Sequence, residues 1–228
     1  MQPRPIRSFV LRGGRMTAAQ QRAYDCEWTR RGLDYSPQPL DLEALFGSGT
    51  PCVLEVGFGM GQSLAEMAAA SPDKGFIGVE VHRPGVGRLL HLLAEQEIDN
   101  VRVFCHDAVE VLRDCIALDA LDTVQVFFPD PWHKKRHNKR RLIQPDFVDL
   151  AVSRLRPGGT LHLATDWEPY AEQMLEVLSA HPHLLNTAGT DAYATRSGRR
   201  PLTRFEQRGT RLGHGVRDLL FRKRASAD

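Results

Sequence analysis

The chain has 228 residues, of which 42% are hydrophobic and 25% are charged, and its formal net charge is +2. This size and composition are typical of a single soluble globular domain that is large enough to bury a core. No apolar run approaches the length of a membrane span, and the arginine-rich start is followed by no apolar segment, so the sequence argues against a membrane protein and predicts a cytoplasmic one.

The chain begins with a basic, turn-rich lead of about 40 residues. Its first 31 residues carry seven arginines against two acidic residues, whereas residues 41–130 hold 15 acidic and five basic residues. An acidic centre between basic segments suggests a polyanion bound outside and a small cationic ligand inside, although solvated basic surfaces are also common. We therefore predict a basic N-terminal extension, residues 1–40, followed by one domain, residues 41–228.

Beyond residue 40, apolar runs alternate with helical patterns, which is typical of an α/β domain. The predicted strands are 52–56, 76–81, 101–105, 123–128 and 160–164, and the predicted helices lie near 61–70, 84–97, 108–117, 145–155 and 168–180. Arg156-Pro157-Gly158-Gly159 predicts a turn between a helix and the fifth strand. Apolar runs at 183–187 and 218–221 are candidates for a closing antiparallel pair. The result is a doubly wound, mostly parallel, seven-stranded sheet with its ligands at the carboxyl ends of the strands.

The sequence VLEVGFGMGQS, residues 53–63, predicts a strand, a glycine loop and the start of a helix. Gly57, Gly59 and Gly61 allow the backbone to approach a ligand closely and to adopt positive φ. A dinucleotide fingerprint requires G-x-G-x-x-G/A, but here the spacing is G-x-G-x-G and position 62 is Gln, so the fit to a pyrophosphate is poor. Many glycine loops are only tight turns, and the motif needs support from other residues.

Acidic residues supply that support because they follow successive strands. Glu80 lies 25 residues after Glu55, where an acidic residue binds a ribose diol in this architecture. Asp107 follows the third strand and is suited to accept from an adenine amino group. For any one of these acids a solvated strand end is the favoured explanation, but three in order after a glycine loop indicate a nucleoside site. S-adenosylmethionine fits this loop better than NAD, and Glu55 would then lie near its cationic methionine moiety.

The sequence FFPDPWHKKRHNKRR, residues 127–141, places one acid, Asp130, between two prolines and before a dense basic run. The prolines keep Asp130 out of helical geometry, so its carboxylate is expected to project from the fourth strand beside the methyl donor. Asn138 is suited to a base or sugar, and the basic residues are suited to phosphate: Lys134, Lys135, Arg136, Lys139, Arg140 and Arg141. His133 and His137 have no evident third metal ligand, so they either face RNA or are structural.

A last polar cluster, TRFEQRGTRLGH, occupies residues 203–214. It is either an exposed polar loop or part of a guanine site. The second interpretation follows from the N1–H and N2–H donors of guanine, which an acceptor such as Glu206 or Asp166 can satisfy.

Five segments together closely resemble the tRNA (guanine-N7)-methyltransferase family in its single-chain bacterial form: LEVGFGMGQSL, GVEVHRPGV, FFPDPWHKKRHNKRRL, LATDWEPYA and TRFEQRGTRLGHGV. The resemblance implies a class I, Rossmann-like methyltransferase fold, S-adenosylmethionine as donor, and a variable-loop guanosine of tRNA, position 46, as acceptor. It assigns the donor site to Glu55, Glu80, Asp107 and Asp130, with Asp130 also catalytic. It assigns the substrate site to Lys134, Asp166, Thr203, Arg204, Phe205 and Glu206, and RNA contacts to Arg136, His137, Asn138, Lys139, Arg140 and Arg141. No obligatory protein partner is expected.

The expected chemistry requires neither a general base nor a metal, because guanine N7 carries a lone pair and no proton. Catalysis should then be mostly positioning, with the Asp130 carboxylate orienting the base, stabilising positive charge on the purine, or both. Two other functions remain open from the residues alone. An NAD-dependent oxidoreductase is disfavoured by Gln62, and a non-catalytic RNA-binding protein is disfavoured by the ordered acids at the strand ends.

Overall fold

The computed structural model describes residues 8–9, 14–195, 200–201, 206 and 215–225. Within them, one eight-stranded sheet contains β1 (Gly32–Leu33), β2 (Cys52–Val56), β3 (Gly75–Val79), β4 (Val101–Phe104), β5 (Leu121–Phe127), β6 (Leu155–Thr165), β7 (Leu184–Asn186) and β8 (Arg217–Lys223). The strand order is β1-β4-β3-β2-β5-β6-β8-β7. Strands β1 to β6 are parallel, and β8 pairs antiparallel with both β6 and β7.

The described helices are α1 (Ala18–Arg31), α2 (Leu42–Phe46), α3 (Gln62–Ala70), α4 (Arg83–Glu95), α5 (Ala108–Cys115), α6 (Pro145–Arg154) and α7 (Glu168–Ala180), with a 3-10 helix at Lys135–Arg140. Local sequence explains several of their starts. Thr17 and Gln20 form a capping box at α1, and a proline lies in the first turn of α4, α6 and α7. Of the helices described, none has the length and apolar character that crossing a membrane requires.

Helices cover both faces of the central strands, and this explains why β2 and β3 are buried at every position. On one face, Val53 and Phe76 pack with α1, α3 and α4. On the other face, Leu54 and Val56 pack with α5, α6 and α7. Successive side chains of each strand therefore enter different cores.

The predicted doubly wound sheet is confirmed, together with the closing antiparallel pair, and most strand limits agree within two residues. The turn at 156–159 behaves differently from the prediction. Leu155 already pairs with Leu121, and pairing resumes only at Thr123 and Thr160, so the Pro-Gly-Gly sequence forms an irregularity inside β6. Local turn signals at 156–159 do not reveal that Leu155 reaches a partner strand first.

The structure adds an eighth strand that comes from the predicted N-terminal extension. Helix α1 packs against α4, and β1 pairs with Val103 and Phe104 at the edge of the sheet. Arg31, with 2% of its side chain exposed, joins α1 to the loop before β4 by donating to Ile98 O at 3.0 Å and to Asp99 at 2.7 Å. Residues 18–33 thus form an integral edge of the sheet.

Candidate active site

A cavity of about 210 Å³ lies at the carboxyl ends of β2, β3 and β5, and we call it the strand-end cavity. It brings together four residues predicted from the sequence, namely Gly57, Glu80, Asp107 and Asp130. This is the expected ligand position in a doubly wound sheet, because adjacent strands change the direction of their crossovers there.

The glycine loop lies between β2 and α3, beside the cavity. Gly57, Gly59 and Gly61 have φ angles of +73°, +60° and +77°, which disfavour other residues. At Gly61 a Cβ atom would also lie 2.6 Å from Leu89 Cβ, whereas at Gly57 and Gly59 it would meet open space. The loop therefore packs tightly against α4 at one glycine and exposes its backbone at the other two.

Glu80 follows β3 in the turn toward α4 and is held by backbone amides. Its carboxylate accepts hydrogen bonds from Gly59 N at 2.8 Å, Val81 N at 2.8 Å and His82 N at 2.9 Å. The glycine loop and Glu80 are thus tied into one rigid unit. An oriented carboxylate of this kind has remaining lone pairs for a ligand hydroxyl.

Asp107 begins α5 and accepts from Val109 N at 2.9 Å, which is an N-cap interaction. Its neighbour His106 also lines the cavity, although sequence reasoning did not select it. The His106 ring stacks on Tyr35 with centroids 3.9 Å apart, and its Nε2 lies 2.6 Å from Glu110. The signal in the sequence was adjacency to Asp107, but the stacking partner lies 71 positions earlier in the chain.

Glu55 lies outside the lining of the strand-end cavity, although it was predicted with the other donor-site residues. It is 3% exposed and accepts from Gln125 Nε2 at 2.8 Å. The next residue, Val56, lines the cavity from the opposite face of β2. Burial, together with the charge of Glu80, raises the pKa of Glu55 to about 7 against the opposing hydrogen bond from Gln125.

Asp130 occupies a constrained corner at the end of β5. Phe128 and Trp132, on either side of the Pro-Asp-Pro sequence, have φ angles of +52° and +46°, in a region that bulky residues rarely adopt. Asp130 is exposed, lines the strand-end cavity, and within the described part of the chain forms no hydrogen bond or ion pair. The backbone therefore fixes the position from which this side chain projects, and the carboxylate is available to a ligand.

The basic run lies directly beyond this corner, and most of it faces solvent. Lys134, Lys135, Arg136 and Lys139 are exposed. His137 lies among them, and partial burial followed by the surrounding cations lowers its pKa, so its Nε2 can accept from Arg136 Nε at 3.3 Å. We call the four exposed cations the basic surface.

The last two members of the run are placed differently from the predicted RNA-facing side chains. The Arg140 guanidinium lies 3.9 Å from the centre of the Trp132 ring. Arg141 is 5% exposed, and it donates to Pro131 O at 2.9 Å and to Gln173 at 2.6 Å. Arg141 thus stabilises the backbone corner at Asp130, because it donates to the carbonyl of Pro131, the next residue in the chain.

The remaining predicted substrate residues fall into three groups. Asp166 follows β6 and is half-buried, and Asn138 has a buried Oδ1 that lacks a hydrogen-bond partner among the described residues. Glu206 is buried and accepts from Arg200 Nη1 at 2.6 Å. Thr203, Arg204 and Phe205 lie outside the described residues.

Two residues of the N-terminal lead also line the cavity. Ser8 and Phe9 contribute to its wall, and the carbonyl of Ser8 accepts from Trp132 Nε1 at 3.1 Å. The sequence predicted no ligand contact for this segment, although the family resemblance begins at about Ser8. The apolar residues Phe9 and Val10 among its arginines were the available signal.

The polar groups around the strand-end cavity fit a nucleoside with a charged amino acid tail, as in S-adenosylmethionine. The evidence is the open backbone at Gly57 and Gly59, the oriented carboxylate of Glu80, and a buried hydroxyl at Ser63, in the first turn of α3, that has no hydrogen-bond partner in the described part of the chain. Polar groups of these kinds bind hydroxyls and charged ligand groups. Among the residues with described positions, no group of three or more His, Cys, Asp or Glu is arranged to hold a metal ion.

Comparison with known proteins identifies close relatives. A family profile described as "Putative methyltransferase" matches residues 49–219. The chain is 62% identical to a tRNA (guanine-N(7)-)-methyltransferase of Aromatoleum aromaticum over 97% of this chain and 85% of the relative. It is 60% identical to the protein of the same name from Paraburkholderia xenovorans, over 98% and 85% of the two chains.

Solved structures support the fold. The 16S rRNA methyltransferase KamB matches with a TM-score of 0.60 and 15% identity, over 86% of this chain and 99% of that one. TrmN from Thermus thermophilus matches with a TM-score of 0.54 and 18% identity, over 80% of this chain and 47% of that one. At sequence identities of 15% and 18%, these structures show a shared fold and nothing more.

Proposed function

Because the chain belongs to the tRNA (guanine-N(7)-)-methyltransferase family and methylates guanine N7 in tRNA, we propose that S-adenosylmethionine binds in the strand-end cavity and that the acceptor is the variable-loop guanosine at position 46. The observation that carries this proposal is the position of Asp130. Its carboxylate lines the strand-end cavity, and the basic surface begins four residues later. A methyl donor and an RNA substrate would therefore meet at this side chain.

Glu80, Asp107 and the glycine loop are proposed to bind the donor. Glu80 is oriented by three amides toward a ribose diol, and Asp107, fixed as the cap of α5, lies where it can accept from an adenine amino group. When bound, S-adenosylmethionine supplies an electrophilic methyl group on a sulfonium. The open backbone at Gly57 and Gly59 allows the ligand to approach closely.

Asp130 is proposed to act on the purine. Guanine N7 already has a lone pair, so Asp130 does not need to remove a proton. An exposed carboxylate on a constrained backbone can orient the base and stabilise the positive charge that develops on it. The constrained backbone fixes the Cα position of Asp130 before the substrate arrives, which reduces the cost of orienting its carboxylate during the reaction.

The basic surface is proposed to bind tRNA phosphates near this corner. Lys134, Lys135, Arg136 and Lys139 carry four positive charges with no acid among residues 132–141. Such contacts position RNA without reading its sequence. We further propose that the protein works in the cytoplasm without an obligatory protein partner, as expected for a chain that contains both donor and RNA sites.

The proposal is tested by transfer of a tritiated methyl group into purified tRNA, followed by nucleoside analysis. We expect the label in 7-methylguanosine, and no label when position 46 of the same tRNA is adenosine. Label that persists in the position-46 variant would overturn the proposed acceptor. Competition of donor binding by S-adenosylhomocysteine, but not by NADH, would separate the proposal from an NAD-dependent activity.

A further inference from the structure

Arg200 is the centre of a buried ionic cluster near the active site. Its side chain is 1% exposed and binds two carboxylates that are themselves buried. Asp218 of β8 accepts from Arg200 Nε at 2.7 Å and from Nη2 at 2.8 Å. Glu206 accepts from the third nitrogen, Nη1, at 2.6 Å. The guanidinium thus joins two acidic side chains that are 12 residues apart in sequence.

The cluster also reaches β6 and the end of β5. His162 Nε2 lies 2.9 Å from Asp218 Oδ1, and the His162 ring meets the Phe127 ring edge-on with centroids 4.9 Å apart. The Arg200 guanidinium lies 5.5 Å from the centre of the Phe128 ring and 5.8 Å from that of Phe127. A cation at this distance from an aromatic ring is attracted to it.

These contacts matter because Phe128 is the strained residue that precedes Pro129 and Asp130. Its positive φ persists only if surrounding contacts hold it, and one of them is the hydrogen bond from Phe128 N to Ala164 O at 2.8 Å. The aromatic ring of Phe128 lies against the Arg200 guanidinium. On the other side of the cluster lies Glu206, which the family resemblance assigns to the substrate site.

The chemistry of the cluster requires an arginine. A planar guanidinium can donate two parallel bonds to Asp218, a third bond to Glu206, and present a face to Phe128, whereas a lysine ammonium provides a single point of charge. The pKa of Asp218 is consistent with this arrangement. Burial alone would raise it, but the hydrogen bonds from Arg200 and His162 hold it at about 2.

We propose that Arg200 is a positioning residue for methyl transfer. It fixes the Glu206 side of the substrate site relative to the Phe128–Asp130 corner, through Asp218 and the aromatic ring. This inference rests on the proposed function, since it assigns Arg200 a part in presenting guanine to Asp130. Arg200 itself need not contact the donor, the tRNA or the reacting atoms.

The test compares Arg200→Lys with Arg31→Lys. Arg31 is a matched control because it is also buried and binds two carboxylates, Glu27 and Asp99, but it lies at the opposite edge of the sheet. Donor-binding stoichiometry and affinity are measured by calorimetry. The single-turnover rate of methyl transfer to saturating tRNA is then expressed per donor-binding site, so that partial unfolding does not count as lost catalysis.

We expect Arg200→Lys to lower the rate per site by about tenfold to 100-fold, the effect of misplacing reacting groups, with unchanged donor affinity. Arg31→Lys should keep the wild-type rate per site. Equal rates per site in the two variants would overturn the inference. If Arg200→Lys does not fold, Asp218→Asn is compared with Arg31→Lys by the same criterion.

The wild-type protein separates the two proposals. If it transfers no methyl group to position 46 of tRNA, the proposed function fails and the inference fails with it. If the wild type is active and Arg200→Lys matches the control, only the positioning role is rejected.

Discussion

Asp130, which follows β5, and Glu55, in the neighbouring strand β2, show how two carboxylates acquire different properties from their surroundings. Asp130 is exposed on a constrained backbone, whereas Glu55 is 3% exposed and has a pKa of about 7. Desolvation disfavours the charged form of a buried acid, and Gln125 compensates for only part of this cost. Exposure therefore suits Asp130 to stabilise charge, and burial suits Glu55 to respond to pH.

For Asp130, we predict that Asp130→Asn lowers the single-turnover rate by about 100-fold or more, because it removes the charge that stabilises the cationic purine. tRNA binding should be largely retained, since Pro129 and Pro131 still constrain the backbone. Because N7 needs no deprotonation, the remaining activity should show no new steep pH dependence near neutrality.

Rapid quench measures this rate, and Asp73→Asn is the matched control. Asp73 is an exposed acid in the loop before β3, at the amino end of that strand, whereas the strand-end cavity lies at its carboxyl end. A transfer rate in Asp130→Asn equal to that of Asp73→Asn would reject the catalytic assignment.

For Glu55, we predict a loss of stability of the donor-free protein as pH rises. The folded pKa, about 7, is above the usual value of 4.5, so folding favours the protonated form and this penalty develops between about pH 4.5 and 7. The shift corresponds to about 3 kcal/mol at higher pH. Glu55→Gln should therefore raise the free energy of unfolding at pH 8 more than at pH 5, as measured by urea denaturation. Equal effects at the two pH values would contradict the raised pKa.

The same variant tests the predicted donor role of Glu55. If its carboxylate interacts with the cationic methionine moiety, donor affinity of the wild type should improve as pH rises through about 7, because the ionised form then predominates. Calorimetric titration with S-adenosylhomocysteine, which keeps the amino group of that moiety, follows this change. A parallel pH profile in Glu55→Gln would remove Glu55 from the donor site.

At the scale of elements, the segment from β5 to the 3-10 helix carries both the proposed catalytic residue, Asp130, and the cations that are proposed to bind RNA. At one end of the segment, Arg141 donates a hydrogen bond to the carbonyl of Pro131. At the other end, near the end of the 3-10 helix, Gln144 donates to Asn138 O at 3.1 Å. These part-buried contacts hold the ends of the segment, and the cations of the basic surface between them are exposed. The segment can therefore present charge to RNA while the Asp130 corner remains fixed.

For this element, we predict that replacing Lys135, Arg136 and Lys139 by Gln weakens tRNA binding and flattens its salt dependence. Fewer counterions are released, so the slope of log affinity against log salt should decrease in magnitude by about 2 to 3. Donor affinity should not change, because these side chains lie outside the lining of the strand-end cavity.

Filter binding over a range of salt concentrations measures this slope. A control variant replaces Lys74, Arg113 and Arg156 by Gln. These three cations lie near the amino ends of the strands, and the variant should keep the wild-type slope. If both triple variants give the same slope, the basic surface does not bind tRNA.

At the scale of the molecule, ionic clusters join segments that are distant in sequence. Arg200, Asp218 and His162 connect the last strand with β6, and Arg31 connects α1 with the loop before β4. A buried ion pair is costly to break, because the partner that remains is left as an uncompensated charge. Both clusters thus hold the edges of the sheet to its centre.

For the whole fold, we predict that Asp218 contributes to the loss of stability in acid. Its folded pKa, about 2, is below the usual value of 3.8, so its contribution is complete above about pH 4 and is lost as pH falls toward 2. The shift corresponds to about 2 kcal/mol. As the pH falls over this range, the melting temperature of the wild type should decrease more steeply than that of Asp218→Asn. Parallel curves would show that Asp218 does not titrate with folding.

Residues whose roles depend on local pattern were predictable from the sequence. Alternating apolar runs predicted the sheet, positive φ requires glycine at Gly57 and Gly61, and two prolines predicted the exposed carboxylate of Asp130. In each case a few neighbouring residues determine the backbone conformation, so the information is present in one short segment. The family motifs lie in the same segments, which is why the resemblance pointed to the same site.

Only the tertiary structure decided which side chains meet. The burial of Arg141, the pairing of Glu206 with Arg200, and the placement of Ser8, Phe9 and His106 at the strand-end cavity all depend on partners far along the chain. The face on which Glu55 lies, away from the cavity that Val56 lines, depends on the register of β2 with its neighbours. Composition and spacing do not specify such contacts, because they arise when separate segments pack and exclude water from particular polar groups.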